Sequence, residues 1–369
     1  TAYFGEEFVV SHLSVEQSGE ELPLAYEWSY GTLNTDEDGM ASYPIKDSLH
    51  IVSHDPELKY AFRELGTFGL RLRVDNGETI RYKYFVLQVD TEFSEGITIL
   101  SRDGDGKGRI SFMRTLTKEE INTGKVPVFR TDITELINPG TKMEDVTDMV
   151  QVNNRLLVCS GDAGRIYNMD SRTFDIEGMT SFKELYPGCA FVKFAGVSAN
   201  NNIYLVSRDR RGYVYDYVLD ELMLTEYFKD LDVDAAVSVD RPVFVNYETS
   251  VFYSPSLGGV TSSLNRYVDF NIWGICAVGS SVYVMATYKV MPSYIYLSQT
   301  TFSLGNPTIL QFYDSLVSLK VNRNSLFAGS KSYSCLYYTC EDGIYYWDLK
   351  KQLSTTPVIS IPVGMEITS

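Results

Sequence analysis

Three features of the sequence predict an all-β protein. Its 27 tyrosines and 19 phenylalanines favour strands. The first 91 residues alternate apolar and polar side chains in short runs, and a strand–turn–strand unit then recurs about every 40–60 residues. Amphipathic helical patterns are scarce, and the clearest is a single turn from Thr117 to Ile121. We therefore predict a β-sandwich over residues 1–91 and a β-propeller over residues 92–369.

The N-terminal domain is predicted from its alternating strands. Leu70, Leu72 and Val74 fall on one face of a strand, and the turn residues Asp75-Asn76-Gly77 follow it. Asn and Gly tolerate positive φ, so a returning strand is expected after Gly77. Trp28 lies on an earlier alternating strand, where a sandwich of this kind usually places a core residue. We expect Trp28 to fill the core rather than to stack on a ligand.

The same strands resemble those of a known family. Tyr26-Glu27-Trp28-Ser29-Tyr30-Gly31 resembles the Y-x-W-x-F-G strand of polycystic-kidney-disease (PKD) domains, and the segment 65–77 resembles their P-G-x-Y-x-V-x-L-x-V-x-D-x-x-G strand pair. Leu65 stands where that family usually has Pro, and Gly31-Thr32-Leu33-Asn34 replaces the usual G-D-G. The resemblance implies a PKD-like, immunoglobulin-like fold for residues 1–91.

A repeated unit organises the rest of the chain. Copies of a strand, a turn and a second strand begin near residues 97, 155, 202, 243, 282 and 335. This spacing is that of a four-stranded propeller blade, and one blade cannot bury both of its faces alone. We predict about six blades, and seven remain an alternative because the region from 242 to 275 is irregular.

Closure of the ring is predicted from the C-terminus. The second copy is preceded by Glu144–Met149, which has the pattern of an innermost strand, whereas the first copy has no such strand before it. Met365–Ser369 resembles the missing strand. We expect Ile367 to lie beside Ile99, so that the C-terminal strand completes the first blade and removes an open edge.

The two parts together resemble the PKD-like family lipoproteins of Gram-negative gut bacteria over nearly the whole chain. The segments 95–101 and 106–112 carry this resemblance in the propeller. It implies an extracytoplasmic protein that is tethered to the outer membrane by a lipidated cysteine and associated with polysaccharide uptake. This chain has no such cysteine, so membrane contact is expected only through an anchor absent from the sequence.

The charge balance argues against two kinds of partner. The formal net charge is −16, of which residues 1–91 contribute −9. An acidic surface repels phosphate groups, so nucleic acid and anionic membrane surfaces are not expected partners. The N-terminus, Thr1-Ala2-Tyr3-Phe4, has neither the basic start nor the apolar run of a signal peptide. No apolar run reaches the ~20 residues of a membrane-spanning helix.

The cysteines and histidines limit the chemistry. The five cysteines include no C-x-x-C pair. Cys335 and Cys340 could form a disulfide across a hairpin, but we favour the alternative that both are buried free thiols. All three histidines, His12, His50 and His54, precede the propeller. A Ser-His-Asp site, a Cys-His site or a His-ligated metal is therefore excluded there. His50 and His54 are expected in surface loops.

Two carboxylate motifs have a structural interpretation. Residues 160–167 fit the loose S-x-D-x-G-x-x-aromatic pattern of sialidase turns, which occurs cleanly once. In residues 102–108, aspartates alternate with other residues, as they do in calcium-binding loops. However, Lys107 and Arg114 occupy positions where an EF-hand needs oxygen ligands. We interpret both segments as hairpin turns, and we predict no catalytic residue, no metal and no cofactor.

Aromatic side chains supply the candidate ligand-binding residues, because Tyr and Trp rings stack on sugars. The candidates are Trp273, Trp347, Tyr338 and Tyr345, each with core packing as the alternative. Our first hypothesis is a non-catalytic cell-surface binding or scaffold protein that presents a propeller face to a glycan or a surface protein, with the sandwich as a spacer. The second is a carbohydrate-active enzyme of the glycosidase type, with two carboxylates in the propeller funnel.

Overall fold

The fold is described from a computed structural model of the chain. The described residues are 1–11, 13–35, 41–44, 48–161, 163–197, 202–223, 231–239, 242–256, 259–263, 267–301, 308–315, 321–330, 332–349 and 356–362. The chain divides into two compact units, Thr1–Thr98 with Phe112–Thr131, and Ile99–Ser111 with Asp132–Ser369. The first unit contains the whole of the predicted domain 1–91. No helix in the described ranges is long and apolar enough to cross a membrane.

The first unit is built on two β-sheets. Its strands are β1 (Ala2–Tyr3), β2 (Glu7–Val10), β3 (Ala25–Thr35), β4 (Ala41–Pro44), β5 (His50–Ser53), β6 (Leu58–Ala61), β7 (Gly66–Asp75) and β8 (Ile80–Asp90). The larger sheet has the order β1-β8-β7-β3-β4, with β5 also paired to β3. The strands β2 and β6 form the smaller, antiparallel sheet.

The core of this unit draws on both sheets. Trp28 on β3 is 0% exposed, and its indole N–H donates to the carbonyl of Asp55 at 3.1 Å. Leu70 and Leu72 on β7 are buried in the same cluster, together with Leu58 on β6. The prediction that Trp28 fills the core is confirmed.

The turn between β7 and β8 follows from its sequence. Gly77 has a φ of +87°, which its missing Cβ permits. The carboxylate of Asp75 accepts the backbone N–H of Gly77 at 2.8 Å, and Asn76 accepts the N–H of Thr79 at 2.8 Å. Asp75 then pairs with Ile80, so the predicted hairpin is confirmed.

The short predicted helix is also present. Helix α1 (Lys118–Asn122) begins after Thr117, which caps it together with Glu120 in a reciprocal capping box. A second short helix, α2 (Ile133–Ile137), has no counterpart among the predictions. It follows Asp132, whose φ is +59°.

The remaining strands form six sheets within the described residues. The first contains β9 (Gly96–Arg102), β10 (Lys107–Arg114) and β11 (Met143–Glu144). The next three are β12 (Val146–Val152), β13 (Arg155–Ser160), β14 (Arg165–Asp170) and β15 (Ile176–Ser181); β16 (Phe191–Val197), β17 (Asn202–Ser207), β18 (Gly212–Asp216) and β19 (Glu221–Met223); and β20 (Ala235–Ser238), β21 (Pro242–Asn246), β22 (Val251–Ser256) and β23 (Gly259–Ser263). The last two are β24 (Phe270–Val278), β25 (Ser281–Tyr288), β26 (Met291–Thr301) and β27 (Thr308–Ser315); and β28 (Phe327–Ser330), β29 (Cys335–Cys340), β30 (Gly343–Asp348) and β31 (Ile359–Ser360).

The four-stranded sheets follow one another as propeller blades do. Each runs from first to fourth strand in chain order, with antiparallel neighbours. The first strands contact one another in series, from β12 to β16, β20, β24 and β28. Side chains between successive sheets form apolar clusters, such as the one that joins Leu157 on β13 to Leu205 on β17. In a β-propeller, four-stranded sheets pack face to face, and the first strand of each sheet lies next to the first strand of the following sheet. The sheets of this protein have that arrangement.

The first of the six sheets differs from the others. It has the order β11-β10-β9, and β9 is its terminal strand within the described residues. The strand predicted to cover β9, Met365–Ser369, lies outside the described residues. Ring closure and the number of blades therefore stay predictions.

The predicted innermost strand Glu144–Met149 is wrong at its start. Glu144 ends β11 and pairs with Lys107 on β10, in the preceding sheet. Asp145, with a φ of +46°, then turns the chain, and β12 begins at Val146. A residue in left-handed conformation ends strand pairing, so Asp145 separates the two sheets.

All five cysteines are buried. Cys335 and Cys340 lie at the two ends of β29, where they pair with Asp348 and Gly343 on β30. Five residues of extended strand span far more than the Cα separation of a disulfide. The hairpin disulfide is therefore ruled out by geometry, and the buried-thiol interpretation is confirmed.

Candidate functional site

One end of the propeller sheets gathers charged side chains. Adjacent strands of each four-stranded sheet are antiparallel. The turn between the second and third strands therefore lies at the same end of the sheet as the loop that leads into the first strand. We call this end the arginine face and define it by Arg102, Asp145, Arg208, Arg210, Asp232, Asp234, Tyr247, Trp273 and Arg323. Loops held at the ends of a rigid sheet scaffold are where binding residues usually lie.

Asp145 joins three sheets on this face. Arg102, the last residue of β9, donates to its Oδ1 at 3.1 Å, and Arg208, just after β17, donates to its Oδ2 at 3.3 Å. Gly161 lies against the same group, and a Cβ there would come 2.4 Å from the Asp145 carboxylate. The carboxylate therefore bridges two arginines from different sheets.

Arg210 makes the next connection. Its Nη2 donates to Asp234 Oδ2 at 3.2 Å, and its Nε lies 2.7 Å from Asp232 Oδ1. Asp234 also accepts the backbone N–H of Tyr247 at 2.6 Å, and Asp232 accepts the side-chain amide of Asn246 at 3.0 Å. These contacts hold Tyr247 at the end of β21.

Tyr247 and Trp273 flank an arginine at the surface. The guanidinium carbon of Arg323 lies 5.2 Å from the centre of each ring, within the range of a cation–π contact. Arg323 Nη1 donates to the carbonyl of Ile272 at 2.5 Å, and Nη2 to the carbonyl of Tyr247 at 3.5 Å. The indole N–H of Trp273 donates to the Thr287 hydroxyl at 3.0 Å.

Of these three residues, Arg323 is the exposed one, whereas Tyr247 and Trp273 are half-buried. Tyr247 also packs against a buried apolar cluster. Burial raises the pKa of Tyr247, as does the Asp234 carboxylate, while Arg323 acts in the opposite direction. The phenol therefore stays protonated at neutral pH. The cluster brings an indole, a tyrosine ring and an exposed cation together at one place, and we call it the aromatic–arginine site.

Three of the four aromatic residues singled out from the sequence lie in the core. Tyr338 and Trp347 are 1% and 2% exposed, and Tyr345 is buried beside them. The rings of Tyr338 and Tyr345 stack 5.5 Å apart at 19°, and the Tyr345 hydroxyl donates to the Asp342 carboxylate. Their faces are covered by protein, so core packing is the role that the structure shows for them. Of the four, Trp273 is the one whose ring reaches the surface.

The partners of Trp273 lie far from it in the sequence. Tyr247 and Arg323 are 76 residues apart, and Arg323 sits between two asparagines in a link between sheets. An Asn-Arg-Asn segment predicts only a polar turn. No signal in the sequence brings these residues together, because sheet order alone places them side by side.

The segment 102–108 is a turn, as predicted, and in the segment 160–167 the described residues Ser160 and Arg165 pair where β13 and β14 connect. Asp103 accepts the backbone N–H groups of Asp105 and Lys107 within the turn between β9 and β10, and the first cause of its lowered pKa is the Lys107 N–H. Ser207 bonds to the Asp209 carboxylate in the corresponding turn after β17. Asp162 lies outside the described residues.

No group of three metal-ligating side chains occurs among the residues that the structure describes. The ring of His54 is hydrogen-bonded to the carbonyl of Tyr26 at 3.2 Å, and the ring of His50 packs beside Tyr30. His12 is outside the described residues.

The first unit contains an open groove of about 1010 Å³. One of its carboxylates is paired within the protein: Glu120 accepts from Arg114 at 2.5 Å and from Lys125 at 2.7 Å. These two cations, Arg114 first, lower the pKa of Glu120 to about 2. Because Glu120 and Arg114 bind each other, the cation of this groove is less available to a ligand than Arg323 in the aromatic–arginine site.

The comparisons with known proteins concern the fold. No family model and no curated protein matches the sequence. Among solved structures, the chain is similar to a quinoprotein alcohol dehydrogenase-like protein from Bacteroides thetaiotaomicron, with 12% identity and a TM-score of 0.52 over 100% of this chain and 83% of that chain. It is also matched to the N-terminal domain of Nup159 (9% identity, 75% and 80% covered, TM-score 0.42) and to a mitotic checkpoint complex (11% identity, 77% and 84% covered, TM-score 0.43). The first likeness and the strand arrangement together show an all-β protein with a β-propeller.

Proposed function

We propose that this protein is a non-catalytic binding protein whose aromatic–arginine site takes a saccharide. The observation that carries the proposal is the exposed Arg323 guanidinium held between the rings of Tyr247 and Trp273 at 5.2 Å from each. Aromatic faces stack on the apolar C–H faces of sugar rings, and guanidinium groups bond to sugar oxygens. A site with both is suited to a polar ligand that has flat faces.

The frame of the site is prepared before any ligand arrives. Trp273 is fixed by its bond to Thr287, and Tyr247 by the contact of its backbone N–H with Asp234. Arg323 is fixed by two carbonyls. Side chains that are already ordered lose little conformational entropy on binding, so a modest contact area can give measurable affinity.

A second candidate is a carbohydrate-active enzyme of the glycosidase type. Asp232 and Asp234 both lie beside the guanidinium of Arg210, and two carboxylates are what such chemistry requires. Against it, Asp234 accepts both the Tyr247 N–H and Arg210, while Asp232 accepts the Asn246 amide. Carboxylates engaged in this way support the frame of a site, so we favour binding.

The finer architecture belongs to the same proposal. We infer that the sandwich is PKD-like and immunoglobulin-like and acts as a spacer, and that the propeller has six blades closed by Met365–Ser369. The paired strands β3 and β7 around Trp28 and the open edge of β9 in the described chain support this. The sequence resemblance supports an extracytoplasmic, outer-membrane-anchored location, with a surface protein as the alternative partner.

Affinity electrophoresis through gels that contain single polysaccharides, with reducing-sugar release measured in parallel, tests the function. We expect at least one polysaccharide to retard the protein without sugar release. Trp273→Ala and Tyr247→Ala should abolish retardation while the protein stays folded, as a cooperative thermal melt shows. The control is Tyr333→Ala, which removes an exposed tyrosine outside the site. Release of sugar would favour the enzyme, and absence of retardation by any glycan would favour a protein partner.

A further inference from the structure

Arg323 differs from the other arginines of the arginine face in its partners. Arg102 and Arg208 share the Asp145 carboxylate, and Arg210 lies between Asp232 and Asp234. No carboxylate of the described residues lies within ion-pair distance of Arg323. Its hydrogen bonds go to two backbone carbonyls, and its faces lie against two rings.

The environment of Arg323 leaves donors for a ligand. A guanidinium has five N–H groups, of which the two carbonyl contacts occupy two. The side chain is exposed, and neither carbonyl neutralises its charge. In a chain of net charge −16, a cation that makes no ion pair with the described residues is a local positive point in a negative field. A planar guanidinium matches a carboxylate through two parallel hydrogen bonds.

We propose that the aromatic–arginine site selects a saccharide that carries a carboxylate, with Arg323 bonding the carboxylate and Trp273 and Tyr247 contacting the sugar rings beside it. This deepens the proposed function and rests on it. The class of ligand is a polysaccharide in which a uronic acid is flanked by neutral sugars.

The surrounding carboxylates set a limit on the charge of the ligand. Glu248, next to Tyr247, has a side chain that is 80% exposed, and that of Asp232 is 57% exposed. These groups and Asp234 repel a ligand that carries a charge on every sugar. We therefore expect polysaccharides with widely spaced carboxylates to bind more tightly than polysaccharides with a carboxylate on every sugar.

The test uses the whole chain and three polymers in affinity electrophoresis: glucuronoxylan, the same polymer after chemical reduction of its carboxyl groups, and polygalacturonate. We expect glucuronoxylan to bind at least tenfold more tightly than its reduced form and more tightly than polygalacturonate. Binding to glucuronoxylan should weaken as salt is raised from 20 to 500 mM, because the contact is ionic.

Variants separate the role of Arg323 from general stability. Arg323→Gln should lower affinity for glucuronoxylan at least tenfold and affinity for the reduced polymer by a clearly smaller factor, and Arg323→Lys should give an intermediate loss for glucuronoxylan. Arg155→Gln removes an arginine from the opposite end of its sheet and should have no effect. Equal binding of the reduced polymer, or an unaffected Arg323→Gln variant, would overturn the acidic ligand and leave the proposed function standing. Failure of every polymer, neutral or acidic, would overturn both.

Discussion

Asp148 on β12 accepts the backbone N–H of Phe194 on β16 through its Oδ2 at 2.8 Å, and so joins the first strands of two neighbouring sheets. Burial is the main cause that raises the pKa of Asp148, while Lys193 and the N–H groups of Phe194 and Met149 act in the opposite direction. The fold therefore holds this carboxyl more readily in its neutral form.

The Asp148→Asn variant tests this relationship. Because the pKa of Asp148 is raised in the folded state, its neutral carboxyl stabilises the fold. This contribution to the free energy of unfolding is complete below the ordinary pKa of 3.8, and it is lost as the pH rises through the folded-state pKa. At pH 7 the charged form is penalised, and Asn keeps an acceptor without the charge. We expect Asp148→Asn to raise the melting temperature at pH 7 and to flatten its pH dependence above pH 4.

Asp148→Ala is the matched comparison, because it leaves the Phe194 N–H without its acceptor. It should cost about 1–3 kcal/mol of unfolding free energy. Chemical denaturation from pH 4 to pH 8 measures both variants. A melting temperature of Asp148→Asn that falls at pH 7 would show that attraction to Lys193 outweighs burial.

Gly274→Ala should destabilise the contact between the last two sheets. A Cβ at Gly274 on β24 would come 1.9 Å from the ring of Phe327 on β28. Neither strand can move without disturbing its own sheet, so we expect a loss of about 2–3 kcal/mol. Gly178→Ala on β15, where nothing lies within 4 Å of the new Cβ, is the control and should change stability by less than about 0.5 kcal/mol.

Tyr338→Phe distinguishes a core residue from a ligand-binding one. The Tyr338 hydroxyl oxygen is buried with no hydrogen-bond partner in the described part of the chain. Removing it should stabilise the fold by about 1 kcal/mol and leave saccharide binding unchanged. Tyr338→Ala should cost about 3–5 kcal/mol, as for other large buried rings. Thermal melts and affinity electrophoresis measure the two effects, and weaker binding by Tyr338→Phe would contradict the core assignment.

Ring closure is tested by cross-linking. We expect an Ile99→Cys, Ile367→Cys pair to form an intramolecular disulfide under mild oxidation, seen on a non-reducing gel, because adjacent strands bring Cα atoms within disulfide range. The control pair is Ile99→Cys with Val358→Cys; Val358 is exposed just before β31. Equal cross-linking of the two pairs, or none in either, would count against a C-terminal strand beside β9.

Much of the strand pattern could be predicted because its signals are local. The alternation of Leu70 and Leu72, and the Asp75-Asn76-Gly77 turn, depend on side chains within a few residues of each other. The burial of Trp28 followed from its place on such a strand. The boundary at Asp145 was missed, because a single left-handed residue leaves the apolar pattern on either side intact.

Local residue patterns were enough to show which segments become strands and turns, that these repeat, and that the chain is acidic. Which aromatic residues lie outside the core became visible once the sheets were assembled. Tyr338 and Trp273 lie on similar strands, yet one is enclosed between sheets and the other reaches Arg323. The physical reason is that side-chain exposure depends on the neighbouring sheet, and contacts across 76 residues, such as Arg323 with Tyr247, are set by how sheets stack rather than by local pattern.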